Sequence, residues 1–333
     1  MLSVHANSPC CGCPSRRFGG RRRQCPECGR TWRIRQRKRG RPRHRVPAPL
    51  LHKVFVQGFT LAQLASRRRG VAIATYRYRF RRALQHFVAR PSPVSLPVGP
   101  LVLLADGMWF QFGGKPWVLY LTAVKACRGH QAVFLDPLLL PGNEAATRWR
   151  TVLATLPPDL TARVQALVVD NLRGMRPLAL QHGWVLQLCH FHLLLKLQVR
   201  WRGRRYALRG GRVRDDIDRL TRSILERPDG RALHLAIRQL RHLSRGDCGT
   251  HRIQRIVREF LRQHPYYRSY LTHPSLGLPR TTNSVESMSR LIREMFRRNR
   301  AGSNPIAVLT WATALVRLRS QLTCNGHPIN RIS

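Results

Sequence analysis

Leu101-Val102-Leu103-Leu104-Ala105-Asp106 is the stretch on which the reading of this chain turns. An uninterrupted apolar run set off upstream by Pro97 and Pro100 reads as a short buried strand, and it runs straight into a carboxylate. Ala166-Leu167-Val168-Val169-Asp170 repeats the pattern. Between and beyond them, Trp117 to Val124 and Gln131 to Leu135 read as two further strands. Glu144 to Leu156 reads as a helix stopped by Pro157-Pro158, and Trp184 to Leu188 as a strand after another helical segment. Three strands, helix, strand, helix, strand is the order of an α/β protein whose mixed sheet carries helices on both faces. In such sheets ligands gather at the carboxyl ends of strands, so Asp106 and Asp170 become candidates for chemistry.

Further along, residues 200 to 274 are helical and polar, with Val213, Ile217, Leu220 and Ile224 on one stripe and Ile253, Ile256, Val257 and Phe260 on another. They read as an inserted helical subdomain. Its acidic group, Asp215, Asp216 and Asp218, is expected to form exposed i,i+4 pairs, Asp215 with Arg219 and Asp218 with Arg222. Asn283 to Arg300 and Pro305 to Leu318 close the chain as helices. The first opens with Thr281-Thr282-Asn283-Ser284-Val285-Glu286, in which Asn283 and Glu286 fit a variant capping box or Glu286 pairs with Arg290. Alternatively Glu286 joins the two strand-end aspartates around hard divalent cations, Mg2+ or Mn2+, which take oxygen ligands. The chain has 15 Asp plus Glu, where a soluble protein of this length carries roughly forty. Each acid beside an apolar strand therefore invites a question.

Ahead of the sheet, residues 1 to 48 contain Cys, Arg, Gly and Pro with few apolar residues and cannot build a core of their own. Cys10-x-x-Cys13 and Cys25-x-x-Cys28 supply two knuckles, the arrangement a tetrahedral Zn2+ needs, with Cys11 to spare. A basic run from Arg30 to Arg45 comes next, as a linker or a backbone-tracking arm. Residues 49 to 90 read as three helices, with Thr60 as an N-cap and a break at Gly70. In the last of them Ile73, Tyr76, Phe80, Leu84 and Phe87 make the apolar stripe, while Arg77, Arg79, Arg81 and Arg82 lie off it. That is the layout of a helix-turn-helix reading DNA, or of an ordinary hairpin with a solvated basic face. Pro91, Pro93, Pro97 and Pro100 are expected to form a stiff boundary.

Composition agrees with a nucleic-acid partner. The 333 residues carry 60 Lys plus Arg and a formal charge of +45. All but Lys38, Lys53, Lys115, Lys125 and Lys196 of the cations are Arg, whose planar fork suits phosphate oxygens. At 43% hydrophobic the chain is not disordered as a whole. Its apolar runs stop short of a membrane span, and the start lacks the order of a secretory signal. A cytoplasmic, nucleoid-associated protein is expected. The five cysteines between residues 10 and 28 argue for metal ligation over disulfides.

Taken together, these residues resemble DDE transposases of bacterial insertion sequences, of the Mutator-like class. The paired knuckles, the helix-turn-helix, the Asp106 strand, Val169-Asp170-Asn171, Cys189-x-x-His192 and Thr281-Thr282-Asn283-x-x-Glu286 carry the resemblance over nearly the whole chain. It implies a zinc ribbon and basic arm over 1–48, a helix-turn-helix domain over 49–90, and a ribonuclease H-like catalytic domain over 98–333 with its helical insertion at about 201–274. It implies Asp106, Asp170 and Glu286 as the catalytic triad on a two-metal site of Mg2+ or Mn2+, with Cys189, His192 and Asn283 in support. No second zinc is expected at Cys189 and His192, because two ligands make half a tetrahedral site. The implied partners are double-stranded DNA, both element ends and target, and further copies of the chain on that DNA. A sequence-specific DNA-binding regulator and a catalytically inactive element remnant are the alternatives.

Overall fold

The computed structural model describes residues 8, 10–19, 22–33, 48–67, 72–92, 94–197, 199–201, 204–206, 212–245 and 251–324. The basic run beyond Arg33 and the break expected at Gly70 lie outside them. Two compact units divide the chain, Met1–Val46 and Pro47–Ser333. In the first, β1 (Arg16–Arg17), β2 (Arg22–Gln24) and β3 (Thr31–Arg33) form an antiparallel sheet in that order. The arginines of β1 are exposed and Cys25 is buried, so cysteine stands where a larger domain would place leucine.

In the second unit, α1 (Ala48–Phe55), α2 (Leu61–Ser66) and α3 (Ile73–Val88) are the three expected helices. Thr60 caps α2 in a reciprocal box: Gln63 N donates to Thr60 Oγ1 at 3.2 Å and Thr60 N to Gln63 Oε1 at 2.8 Å. Tyr76, Phe80 and Leu84 are buried, Arg77, Arg81 and Arg82 are exposed and Arg79 is half-buried. The proline stretch does not set these helices apart from the remainder of the unit. Phe55 and Phe80 close on Trp311 with ring centroids 5.4 and 5.1 Å away, and this shared apolar cluster merges 49–90 with the C-terminal helices.

Next, β4 (Leu101–Phe112) and β5 (Lys115–Ala126) pair antiparallel along their whole length, turning through Gly113 and Gly114 at positive φ. β6 (Gln131–Phe134) and β7 (Leu138–Pro141) both pair with β5. Helices α4 (Ala146–Ala154) and α5 (Pro158–Arg163) lead to β8 (Val164–Val169), then α6 (Met175–Gln181), β9 (Val185–Leu188) and α7 (His190–Leu197). A small hairpin of β10 (Val199–Trp201) and β11 (Arg204–Tyr206) opens the insertion. Helices α8 (Arg212–Glu226), α9 (Arg231–Leu243), α10 (His251–Tyr267) and the short α11 (Ser269–Thr272) complete it. The chain returns as α12 (Asn283–Asn299), α13 (Pro305–Leu318) and the edge strand β12 (Gln321–Thr323).

The sheet order is β12-β6-β5-β4-β8-β9, with β7 also on β5. Pairing is antiparallel from β12 to β4 and parallel from β4 through β8 to β9. This is the expected mixed α/β sheet. Central strands are covered on both faces, which is why Leu101 to Ala105 and Ala166 to Val169 read as unbroken apolar runs.

Two expectations need correction. β4 does not end at Asp106: it continues to Phe112, because its β5 edge goes on pairing (Asp106 opposite Leu121) after its β8 edge has stopped. In the insertion, Arg219 pairs with Asp216 at 2.7 Å rather than with Asp215, while Arg222 pairs with Asp218 as expected.

Candidate active site

Register sets the positions. Leu104 lies opposite Val168 across the parallel β4/β8 pair, and Val169 opposite Leu188 across β8/β9. Two residues past Leu104 is Asp106, two past Val168 is Asp170, and the residue after Leu188 is Cys189. All three therefore stand at one level, at the carboxyl end of the parallel strands. Each aspartate is steadied by its own turn: Gly107 N donates to Asp106 Oδ1 at 3.0 Å and Asn171 N to Asp170 Oδ1 at 2.6 Å.

Glu286 arrives on α12, and Cys189 fixes where that helix begins. Thr282 donates to Cys189 Sγ from both its backbone N and its Oγ1, each at 3.4 Å, and its hydroxyl also lies 2.9 Å from Glu286 Oε1. Thr282 rather than Asn283 is thus the residue before the helix, and its side chain makes no capping bond, so the capping box that is one alternative for Asn283 and Glu286 does not form. Asn283 sits half-buried in the first turn. Burial pushes the Cys189 thiol up to about 12, which keeps it protonated, and Sγ lies 3.8 Å from Glu286 Oε1.

His192, on the first turn of α7, stands between two of the acids: Nε2 is 3.9 Å from Asp106 Oδ1 and Nδ1 is 3.9 Å from Glu286 Oε1. Nδ1 is buried without a hydrogen-bond partner. His190 does a different job. It is buried, burial lowers its pKa, and its Nε2 donates to the Tyr267 carbonyl at 2.6 Å, tying α7 to the end of the insertion. Gln187 reinforces that joint, donating to Tyr267 O at 2.9 Å and accepting from Tyr270 N at 2.9 Å.

Electrostatically the acids feel one another. Burial first, then the charges of Glu144, Glu286 and Asp170, hold the Asp106 carboxyl well above its ordinary value. Lys196 Nζ approaches Asp170 at 3.2 and 3.4 Å. Glu144, which no sequence pattern singled out, is also raised, chiefly by burial, and accepts from Trp149 Nε1 at 2.9 Å. The signal that could have found it is the scarcity of acids combined with its place just after an apolar run, Leu138 to Leu140. Cys189, His192 and Glu286 together form a group whose ligand atoms lie within 4.8 Å of one another and that could hold a metal ion. Glu286 is the third member that the pair Cys189-x-x-His192 lacked in sequence.

In the first unit, the ligand atoms of Cys10, Cys11, Cys25 and Cys28 lie within 4.8 Å of one another and could hold a structural zinc. Cys11 takes the place expected for Cys13. Gly12, at φ 69°, turns the chain between the two, and Cys13 Sγ instead sits 3.3 Å from Ser8 Oγ and 3.4 Å from Cys25 Sγ. Hydrogen bonds from the knuckle, led by the backbone N–H of Cys28, lower Cys25 to about 5, favouring the thiolate.

No protein-family model matches this sequence, and no curated protein does either. Among the described residues no helix is long and apolar enough to cross a membrane.

Proposed function

We propose that the chain is a DDE-type DNA transposase that binds the ends of its mobile element and carries out metal-dependent DNA cleavage and strand transfer. The observation that carries this is the placing of Asp106 and Asp170 on neighbouring parallel strands and of Glu286 at the start of a late helix, with His192 3.9 Å from both Asp106 and Glu286. The antiparallel run β6-β5-β4 followed by parallel β8 and β9, with helices inserted before the third acid, supports a ribonuclease H-like catalytic domain.

The donor set offers the carboxylate oxygens that hard cations take, and burial disfavours ionisation of Asp106 and Glu144 unless a positive charge joins them. Mg2+ or Mn2+ held there would supply charge stabilisation to the attacking and leaving oxygens of phosphodiester cleavage. Of the chain's own groups, Asp106 offers an oxygen from within β4, Asp170 one from just past β8, and Glu286 one from a helix whose start is tied to Cys189. Lys196, itself partly exposed, carries a positive charge beside Asp170. Outside the acids, the exposed Arg77, Arg81 and Arg82 of α3 and a net charge of +45 favour a helix-turn-helix on phosphate-rich DNA.

The test is cleavage and strand transfer on DNA carrying the terminal sequences that flank the reading frame. Asp106→Asn, Asp170→Asn and Glu286→Gln are each expected to abolish both reactions while end binding persists. Near-normal cleavage by any one removes that residue from the site. Tight end binding by the wild type without any cleavage points to a regulator instead.

A further inference from the structure

Glu144 stands in the turn between β7 and α4, and two glycines, one within β4 and one in the loop after β8, make room for that turn. A methyl group on Gly107, the residue after Asp106, would lie 2.6 Å from Glu144 Cδ and 2.7 and 2.8 Å from its two oxygens. The carboxylate therefore rests against the β4 backbone in space that no other residue type at 107 would leave free. Gly174 lies in the loop after Asp170. It adopts φ 93°, and a methyl group there would meet Ala146 Cβ at 2.6 Å, so the Asp170 loop and the start of α4 are also in close approach.

The side chain is anchored as well as accommodated. Trp149 is fully buried, packs edge-on against Tyr120 with centroids 4.8 Å apart, and donates its indole N–H to Glu144 Oε1 at 2.9 Å. Oε2 accepts no hydrogen bond among the described residues. Nor does any Lys or Arg among them form a salt bridge with Glu144, in a chain with 60 such cations. A carboxylate held by an uncharged donor, facing the other acids rather than an arginine, is placed as a ligand and not as half of an ion pair.

We infer that Glu144 is a fourth carboxylate of the cation site, contributing an oxygen beside Asp106 to a hard divalent ion. This rests on the proposed reading of Asp106, Asp170 and Glu286 as such a site. Glu144 anchors the β4 side of the cluster and Glu286 the α12 side, with His192 between Asp106 and Glu286.

Glu144→Gln is the clean probe, because the amide oxygen still accepts from Trp149 and only the charge is lost. Gly107→Ala is the second: it removes no carboxylate but drives a methyl group into Glu144. The zinc-loaded full-length protein is titrated with Mn2+ alone, tracking the rise in melting temperature, with Asp106→Asn alongside. Both probes are expected to raise the Mn2+ midpoint about tenfold or more, and single-turnover DNA cleavage by Glu144→Gln to recover as Mn2+ is increased. If Asp106→Asn shifts the midpoint while Glu144→Gln and Gly107→Ala titrate like the wild type, the assignment of Glu144 is overturned. If Asp106→Asn does not shift it either, the cation-site reading beneath it fails as well.

Discussion

Asp106→Asn is expected to make the cation-free protein more stable while removing its proposed activity. The Asp106 side chain is 14% exposed, and burial, then Glu144, Glu286 and Asp170, raise its carboxyl well above 3.8. A group whose folded value is raised keeps more protons in the native than in the unfolded state, so stability falls as pH rises. The contribution is fully present below 3.8 and is lost as pH climbs through the raised folded value. At pH 8, far above 3.8, the wild type has lost more of that contribution than at pH 5. Repulsion between like charges several ångströms apart at an effective dielectric near 20 is on the order of a few kcal/mol. Lys196 beside Asp170, at 3.2 Å, offsets part of the cluster's negative charge.

Asparagine keeps the Oδ1 that accepts from Gly107 N and removes only the charge. Its gain at pH 8 is then about 1–2 kcal/mol, in the range seen when a strained functional group is relieved, or about 2–5 °C in melting temperature. The assay is scanning calorimetry of zinc-loaded protein, free of other divalent cations, at pH 5 and pH 8, then with Mn2+. The advantage should shrink at pH 5. It should reverse with Mn2+, since an ion at one hundred times its Kd stabilises the wild type by about 2.7 kcal/mol. A variant that melts at or below the wild type at pH 8 without Mn2+ would refute the argument.

Arg317→Met tests how the N-terminal helices are held. Arg317 is 7% exposed, grips Asp136 at 2.8 and 2.6 Å, and donates to the carbonyls of Phe87, Val88 and Arg90 at the end of α3. Methionine keeps the stem and loses every donor. Because Asp136 is 41% exposed and rehydrates, the loss should be about 2–3 kcal/mol in urea unfolding, and an unchanged midpoint would show that the contacts contribute nothing. For the first unit, Cys11→Ser should lower bound zinc below one per chain while Cys13→Ser retains it. The opposite pattern in elemental analysis would restore the assignment to two regular knuckles.

Much of the scaffold was legible because its strands are covered on both faces and their residues are apolar without interruption; β8 and β9 fell within a residue or two of their expected bounds. Asp106 misled as a strand terminus for a physical reason. A carboxylate ends an apolar run whether the strand stops or merely loses one neighbour, and here β4 loses β8 while keeping β5. β7 was hidden because Leu138 to Pro141 is brief and ends in proline, which an edge strand tolerates. Glu144 was illegible for a deeper reason: what marks it is the absence of side chains at Gly107 and the donor on Trp149, and neither bears a sequence spacing to it that recurs in any helix or strand.

The distribution of acids gives that difference its weight. Elsewhere in the second unit six of the scarce carboxylates find arginine: Asp136 with Arg317, Asp216 with Arg219, Asp218 with Arg222, Asp229 with Arg268, Glu226 with Arg280 and Glu294 with Arg298. Asp159, Asp215 and Glu259, among the described residues, form no salt bridge with arginine, so an acid without one is not by itself a site. Among the described residues no arginine forms a salt bridge with Asp106, Glu144 or Asp170 either; His192 lies 3.9 Å from Asp106 and Lys196 3.2 Å from Asp170. Guanidinium groups are bulky, permanently charged and hard to displace. A lysine, compact and on a flexible stem, and an imidazole that need carry no charge leave the cluster open to a cation from solution. What sets Asp106 and Glu144 apart is that they are withdrawn from water beside other acids and have no arginine, and that combination favours a site able to receive a metal ion over acids that merely cap turns.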